Sequence, residues 1–397
     1  MSTQGGKAQE GTSRSGVGFG TDLRGRIGRP EPTGRHVALL VLLAMALAFA
    51  SPMAAGQGNA RKTFTTLTQN AYLGADISRV MLVDPDDPNP YALVEAVTTT
   101  YYEMLASQPA VRMEGLAERI AARMPDIVAL QEMYILRKQS PGDLAYGGSD
   151  PAEEVVVDFL WSLMDNLAAR GLRYRVAAMT TELDVEMPMF NAEFTGFDDA
   201  RLTDRDIILV RADLPPGQLR TSNPQGGHFD TLLTLGNGLE VLRGWCAVDV
   251  FVRGERFRFI NTHLHDESAP DIQFAQAQEL MAEHGPADTG LPVMMVGDLN
   301  ADPYSRNGTY SYPSLIAGGF DDAWSELYPH KPGLTWGHDS GLADKDWDFV
   351  WRIDLMLLRG QTFVPKEMAT VDTDLRRPTP PFWPSDHAGV WASFELR

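Results

Sequence analysis

Polar and apolar positions alternate along much of this chain, and their period separates strands from helices. FTTLTQNAYL, residues 64–73, reads as a strand ending in polar residues. Tyr91 to Met124 carry a helical period with a break at Ser107–Pro109. DIVALQEM, 126–133, is a short continuous apolar run of the kind that forms a buried strand. PAEEVVVDFLWSLMDNLAARG, 151–171, opens on Pro, carries acids in its first turn and closes on Arg170 and Gly171, which predicts one helix. YRVAAMTTELDVEMP and RDIILVRADL have strand patterns, and MPMFNAEFTGFDDA (187–200) between them reads as a loose connection. LEVLRGWCAVDVFV and RFRFINTHLH, joined by Arg253-Gly254-Glu255, predict a hairpin. DIQFAQAQELMAEHG, 271–285, predicts an amphipathic helix stopped at Gly285-Pro286.

The remaining elements follow the same logic. VMMVGDLNADPYS, 293–305, is a buried strand that ends at its polar residues, because Pro303 cannot continue a central strand. A short helix is expected near 312–317, then strands at RIDLMLLRG and HAGVWASFEL. DPDDPNP, 84–90, lacks the central Gly and terminal Glu of a calcium loop and reads as a turn. Strands in hairpins mixed with strands followed by helices predict an α/β protein with sheets covered by helices, in one domain spanning 61–397.

Charge and the first sixty residues change this picture at one end. The formal net charge is −19. Residues 1–55 hold six Lys/Arg against three Asp/Glu, so the acidity belongs to the body that follows. A body this acidic repels polyanions at long range, although a bound divalent cation reverses the sign locally. A Gly/Ser/Arg-rich lead (1–36, with Arg24, Arg26, Arg29 and Arg35) precedes an apolar run of fourteen residues, VALLVLLAMALAFA, and a small-residue tail to Ala60. That is the layout of a secretory signal, and the run is short of the roughly 20 residues needed to span a bilayer. Export is therefore expected, with cleavage after Ala50, Ala55 or Ala60; the rival reading is an uncleaved anchor at 37–50. Cys246 is the only cysteine, so no internal disulfide holds the fold; in its alternating run it reads as a small core residue.

The chemistry collects at strand ends. Asn70 closes the first strand, Glu132 closes DIVALQE, His263 closes FRFINTH, and Asp298 with Asn300 closes VMMVGDLN. Residues i and i+2 of a strand face the same way, so Asp298 and Asn300 project side by side. Asp354 lies in WRIDLMLL, and Ser385-Asp386-His387 opens the last strand. Taken singly, a strand-terminal Asp or Asn is most often a turn-former, and a Glu after a strand is most often solvated. His265, Asp266, His228, His284, His330 and His338 stay in that ordinary class. The functional reading rests on four acids, two histidines and two asparagines together.

TQNAYL, LQEMY, NTHL, GDLNADP, RIDLMLL and PSDHAGVWASF occur in the order seen in the endonuclease/exonuclease/phosphatase superfamily, which this chain resembles over about 64–397. The resemblance implies a four-layer α-β-β-α sandwich, with two mixed sheets packed face to face and a site at one end of both. It implies hydrolysis of a phosphoric ester with Mg2+, or Mn2+ or another divalent cation, as cofactor. It implies metal ligation by Glu132 with Asn70 and Asp386 nearby. Asp298 is implied to orient or deprotonate the attacking water, and Asn300 to bind a phosphoryl oxygen. Asp354 is implied to hold the ring of His387, with His387 and His263 serving proton transfer and phosphate contact. Magnesium keeps several waters, so one or two carboxylates suffice to hold it.

Such a core leaves substrate choice to its loops. QNAYLGAD and INTHLHDES resemble the corresponding stretches of bacterial neutral sphingomyelinases, and RRPTPPFWPSDH sets Phe382 and Trp383 beside the site, where those enzymes carry membrane-touching aromatics. The Pro-rich loop is not a hairpin sequence, and the equal alternative is that both aromatics pack on the core. The leading expectation is an exported hydrolase of phospholipid headgroups at a membrane surface, acting as a monomer with no obligate protein partner. The alternatives are an exported nuclease, for which only Arg376-Arg377 supplies adjacent positive charge, a phosphomonoesterase of the same superfamily, and a binding module with a dead site.

Overall fold

In the computed structural model the described residues are 62–397 apart from 237, 346–348 and 372–376. The expected leader, signal and anchor segments and Arg376 lie outside them. Among the described residues sixteen strands are formed: β1 (Thr63–Asn70), β2 (Ile127–Gln131), β3 (Ile135–Gln139), β4 (Glu154–Asp158), β5 (Tyr174–Phe190), β6 (Phe197–Arg211), β7 (Leu219–His228) and β8 (Leu233–Thr234), then β9 (Glu240–Val241), β10 (Gly244–Val252), β11 (Glu255–His263), β12 (Val293–Asp298), β13 (Asp321–Asp322), β14 (Asp354–Arg359), β15 (Phe363–Val371) and β16 (Gly389–Leu396).

They build two large sheets and a two-stranded ribbon. The first sheet runs β15-β16-β1-β2-β6-β3-β4, with β5 paired to β6. The second runs β13-β14-β12-β11-β10-β7, and β8 pairs β9. Both large sheets are mixed: β1 lies parallel to β2 and β11 parallel to β12, while the other pairs are antiparallel.

Period-2 alternation sorts the side chains into three apolar layers. One face of each sheet meets the other through Phe64, Ile127, Ile208, Val248, Phe257, Phe259, Val296 and Phe394. The outer face of the first sheet, with Leu67, Val128, Leu130 and Leu209, packs on helices Ala92–Ala106, Pro109–Arg123 and Phe159–Ala169. Ile260, Met295, Leu355 and Leu357 of the second sheet pack on helices Pro270–Met281 and Ser311–Ala317. Four layers result, as the sequence predicted. Cys246 is a fully buried free thiol among the residues between the sheets.

Two local expectations are corrected. Residues 151–171 do not form one helix. Glu154–Asp158 is strand β4, hydrogen-bonded to β3, and the helix starts at Phe159 with the Asp158 carboxylate accepting from the backbone of Trp161. Three consecutive valines favour the extended backbone once an edge is available to pair with. The segment 187–200 is not loose either: β5 and β6 extend through it as one long hairpin, paired from Tyr174↔Arg211 to Phe190↔Phe197. Strands β3, β7 and β15 were not visible in the pattern. β7 contains Pro224 and two glycines, and it pairs only at the edge of its sheet.

Candidate active site

Register alone brings the polar strand ends together. His263 is paired with Asp298 across β11/β12, and Asp298 with Asp354 across β12/β14. In the other sheet Asn70 is paired with Gln131, so Glu132 follows directly beside it, and Asp386 and His387 precede β16, the neighbour of β1 on its other side. Each sheet thus contributes half of one constellation at one end of the sandwich.

Glu132 has φ +57° and Asn300 φ +49°, left-handed values that a non-glycine residue adopts only at a cost. The turns aim both side chains inward. Asn70 bridges the halves: its carboxamide nitrogen donates to Glu132 Oε1 at 3.0 Å and to Asp298 Oδ2 at 3.0 Å, while its oxygen accepts from the backbone of Tyr72. Glu132 Oε2 accepts from the backbone of Leu73 at 2.7 Å. Asn300 donates its backbone N–H to Asp298 Oδ1 at 3.0 Å and one amide hydrogen to the Leu264 carbonyl at 3.1 Å. An amide NH2 carries two hydrogens, so a second donor remains for an oxygen in the cavity that Asn300 lines.

The two histidines differ in kind. His387 Nδ1 lies 2.9 Å from Asp354 Oδ2, and its Nε2 lies 3.7 Å from Asp298 and 3.9 Å from Asp386. Burial works against a charged ring, but Asp354, Asp298 and Asp386 outweigh it and hold His387 well above the ordinary histidine range. His263 Nδ1 faces the Arg243 guanidinium at 2.8 Å. A guanidinium only donates, so Nδ1 must accept and the proton of the neutral ring sits on Nε2, 3.5 Å from Asp298. Burial and then Arg243 hold His263 well below its usual range. His387 is therefore a cation and His263 a neutral donor.

Burial pushes Asp298 up to about 7, with His387 opposing and Asp354 adding to the rise. It likewise raises Asp386 to about 6, against His387 and with Glu132. Carboxylates gathered with too little positive charge form a hard-oxygen donor set suited to a divalent cation. Glu132 and Asp386 fit that role, with Asp298 adjoining through Asn70. Asp298, Asp354 and His387 also bring ligand atoms within 4.8 Å of one another, but there the hydrogen bond from Nδ1 of His387 already occupies Asp354 Oδ2.

Several residues at the site were not singled out by the sequence. Arg112, fully buried on helix Pro109–Arg123, donates to the carbonyls of Ala71, Tyr72 and Pro384 and to Ser107, fastening the loops after Asn70 and before Asp386. A cavity of about 530 Å³ opens on the constellation and is also lined by Tyr72, Asp204, Arg243, His265, Asp266 and His338. His265 and Asp266 carry a local signal in the HLHDE run; Arg112 and Arg243 carry none. Trp336 and Trp351 stack at 4.7 Å along the wall.

Phe382 and Trp383 are not at a membrane-facing rim. They are 4% and 0% exposed and pack with Tyr72 and Leu342. Trp383 stacks on His338 at 4.4 Å, and its indole N–H donates to the Asp344 carbonyl. An indole that is fully buried, stacked on one ring and paired through its donor has nothing left for an interface.

Comparisons with known proteins agree with the fold. The family model described as Endonuclease/Exonuclease/phosphatase family matches residues 103–387, which is more than half of the chain; Asn70 lies ahead of that range. An endonuclease/exonuclease/phosphatase family protein from Leptotrichia buccalis C-1013-b superposes with a TM-score of 0.51 at 13% identity, covering 84% of this chain and 99% of its own. TDP2 from D. rerio, complexed with a single-strand DNA product, gives 0.48 at 17%, covering 84% and 98%. A mannosyl-6-phosphatase from Bacteroides thetaiotaomicron VPI-5482 gives 0.47 at 18%, covering 84% and 99%. No curated protein matches the chain in sequence.

Proposed function

The chain belongs to the endonuclease/exonuclease/phosphatase family and is a metal-dependent phosphoric ester hydrolase, and we propose that its substrate is a phosphodiester at a lipid headgroup, met after export. The observation that carries the reaction is the meeting of Asn70, Glu132, Asp298, Asn300, Asp354, Asp386, His263 and His387 at one end of two sheets.

The residues divide the work by charge. A phosphodiester enters with its phosphorus facing Asp298. Asp298 orients the attacking water and takes its proton, for which a carboxylate raised toward neutrality is a better match than an ordinary one. His387, kept protonated by Asp354, donates from Nε2 to an oxygen of the pentacovalent phosphorus. The second amide hydrogen of Asn300 and the Nε2–H of His263 donate to phosphoryl oxygens. His263 holds that donor form because Arg243 occupies its other nitrogen. Glu132 and Asp386 would hold Mg2+, which when bound supplies Lewis-acid polarisation of the phosphate and neutralises charge on the leaving oxygen.

Support for a lipid rather than a nucleic acid comes from charge. The chain is −19 overall, and Arg243, engaged with His263, is the one Lys/Arg among the described residues lining the cavity. Nucleic-acid sites need several phosphate contacts from such residues. The basic lead and apolar run at 37–50 support export.

The test is to present purified protein with bis(4-nitrophenyl) phosphate, sphingomyelin in mixed micelles, DNA and a sugar phosphomonoester, each with Mg2+ and with EDTA. Cleavage of the first two, lost in EDTA, is expected. DNA cleaved faster than either overturns the lipid assignment in favour of a nuclease, and preference for the monoester favours a phosphatase.

A further inference from the structure

The cavity that holds the reacting groups does not end with them. Besides Asp204 and Arg243, its lining includes an apolar group: Val97 and Met104 from helix Ala92–Ala106, Val185 and Met187 from β5, Leu202 from β6, and Val241 from β9. Val185, Met187 and Leu202 are half-buried; Met187 and Leu202 pack against the core on one side, and all three also line the space. Such a lobe costs free energy when it holds only water, and covering it recovers that cost.

We infer that this lobe receives a hydrocarbon chain of the substrate, so that the enzyme takes amphiphilic phosphoesters with that chain inside the cavity. The inference rests on the phosphodiesterase reading of the site and deepens it. Three observations converge. The lobe and the reacting groups share one space of about 530 Å³, so an occupant of the lobe must carry its phosphoester at one end. Asp76, Asp204, Asp266 and Glu267 border that space, which opposes a second phosphate and disfavours a polyanion lying along it. Phe382 and Trp383 are core residues, so the aromatic pair beside the site gives no grip on a bilayer, and apolar recognition falls to the cavity.

The chain makes its contact away from phosphorus, so its effect should appear in kcat/KM as binding energy. A buried methylene is worth about 0.8 kcal/mol, roughly a fourfold gain. The experiment uses 4-nitrophenyl alkyl phosphates from methyl to dodecyl, each below its critical micelle concentration, with Mg2+ present. With the unaltered protein, kcat/KM should climb by up to about fourfold per methylene and then level off where the lobe is filled. Met187→Glu should lower the octyl-to-methyl ratio at least tenfold, since a carboxylate there disfavours an apolar neighbour. Val185→Trp, which keeps the wall apolar while filling it, should move the levelling point to a shorter chain; it serves as the second variant if Met187→Glu does not fold. A series that is flat with chain length while the methyl ester is cleaved overturns the inference, as does an unchanged ratio or levelling point in a folded variant. Failure to cleave any member would instead overturn the phosphodiesterase reading, so the two are told apart.

Discussion

Arg243 and Asp354 give two histidines of the same site opposite character. His387 pairs with a carboxylate and is held charged; His263 pairs with a guanidinium and is held neutral. His387→Ala or Asp298→Ala should therefore cut kcat by several orders of magnitude with little change in melting temperature, measured on bis(4-nitrophenyl) phosphate. Arg243→Met should release Nδ1 of His263 and raise its titration, which burial still holds below the ordinary value of about 6.5, so the acidic limb of the pH–rate profile should move to higher pH. An unaltered profile would deny the lock. Glu182 offers a stability test. It sits at a bulge in β5, and burial raises its carboxyl to about 8 against the Arg243 charge. A folded-state value above the unfolded one, about 4.3, means that its contribution is complete at low pH and is lost as pH rises toward 8. Glu182→Gln should remove that loss, so calorimetry should show the variant gaining on the parent protein from pH 5 to pH 8.

At the scale of elements, the loops that carry the chemistry are held by groups that never touch substrate. Arg112 ties the loop after β1 to the loop before β16 through three backbone carbonyls. Replacing it with Leu leaves those carbonyls unpaired and should cost about 3 kcal/mol of stability, with a fall in kcat as Asn70 and Asp386 lose their spacing. Trp383 locks the same loop from the other side. Trp383→Ala should cost about 3–5 kcal/mol, read in denaturant unfolding, and should slow soluble and micellar substrates equally. A selective loss on micelles would restore a membrane role to it. Asp322, on edge strand β13 of the second sheet, and Arg352 form a buried pair at 2.6 Å. Despite burial, Arg352 holds the Asp322 carboxyl below the usual range, so its contribution persists above about pH 4 and is lost as pH falls through the lower folded value.

For the whole molecule, the division of labour between core and cation sets a clear expectation. Three apolar layers hold the sandwich together, and the site adds an acidic rim to one end of it. EDTA should abolish hydrolysis while leaving cooperative thermal unfolding in place, with a melting temperature changed by only a few degrees. Added Mg2+ should restore the rate. Glu132→Gln should raise the Mg2+ concentration needed for half-maximal rate without changing the fold by circular dichroism.

The sequence by itself determined the α/β class from its pattern and, through its resemblance to a known family, implied the reaction class and the four layers. A polar residue at the end of an apolar run can be seen from neighbours alone, as at Asn70, Glu132, His263, Asp298 and Asn300, whereas Asp354 lies inside its run and Asp386 and His387 precede theirs, so only the joint pattern marked all eight. Long helical periods at 91–124 and 271–285 were equally legible, because a 3.6-residue repeat is a local property. What required the tertiary structure was every feature decided by a distant partner. The valines at 155–157 follow a strand because β3 offers an edge, and 187–200 is ordered because β5 and β6 pair along their length. Phe382 and Trp383 look like surface aromatics in a Pro-rich loop until Tyr72 and Leu342 are seen to cover them. Arg243 reaches His263 only because β10 and β11 fold back on each other. The apolar lobe is assembled from helix Ala92–Ala106, the β5–β6 hairpin and β9, segments that no local window holds together. Local pattern fixes what a residue prefers; burial and pairing, which depend on what folds against it, decide what it does.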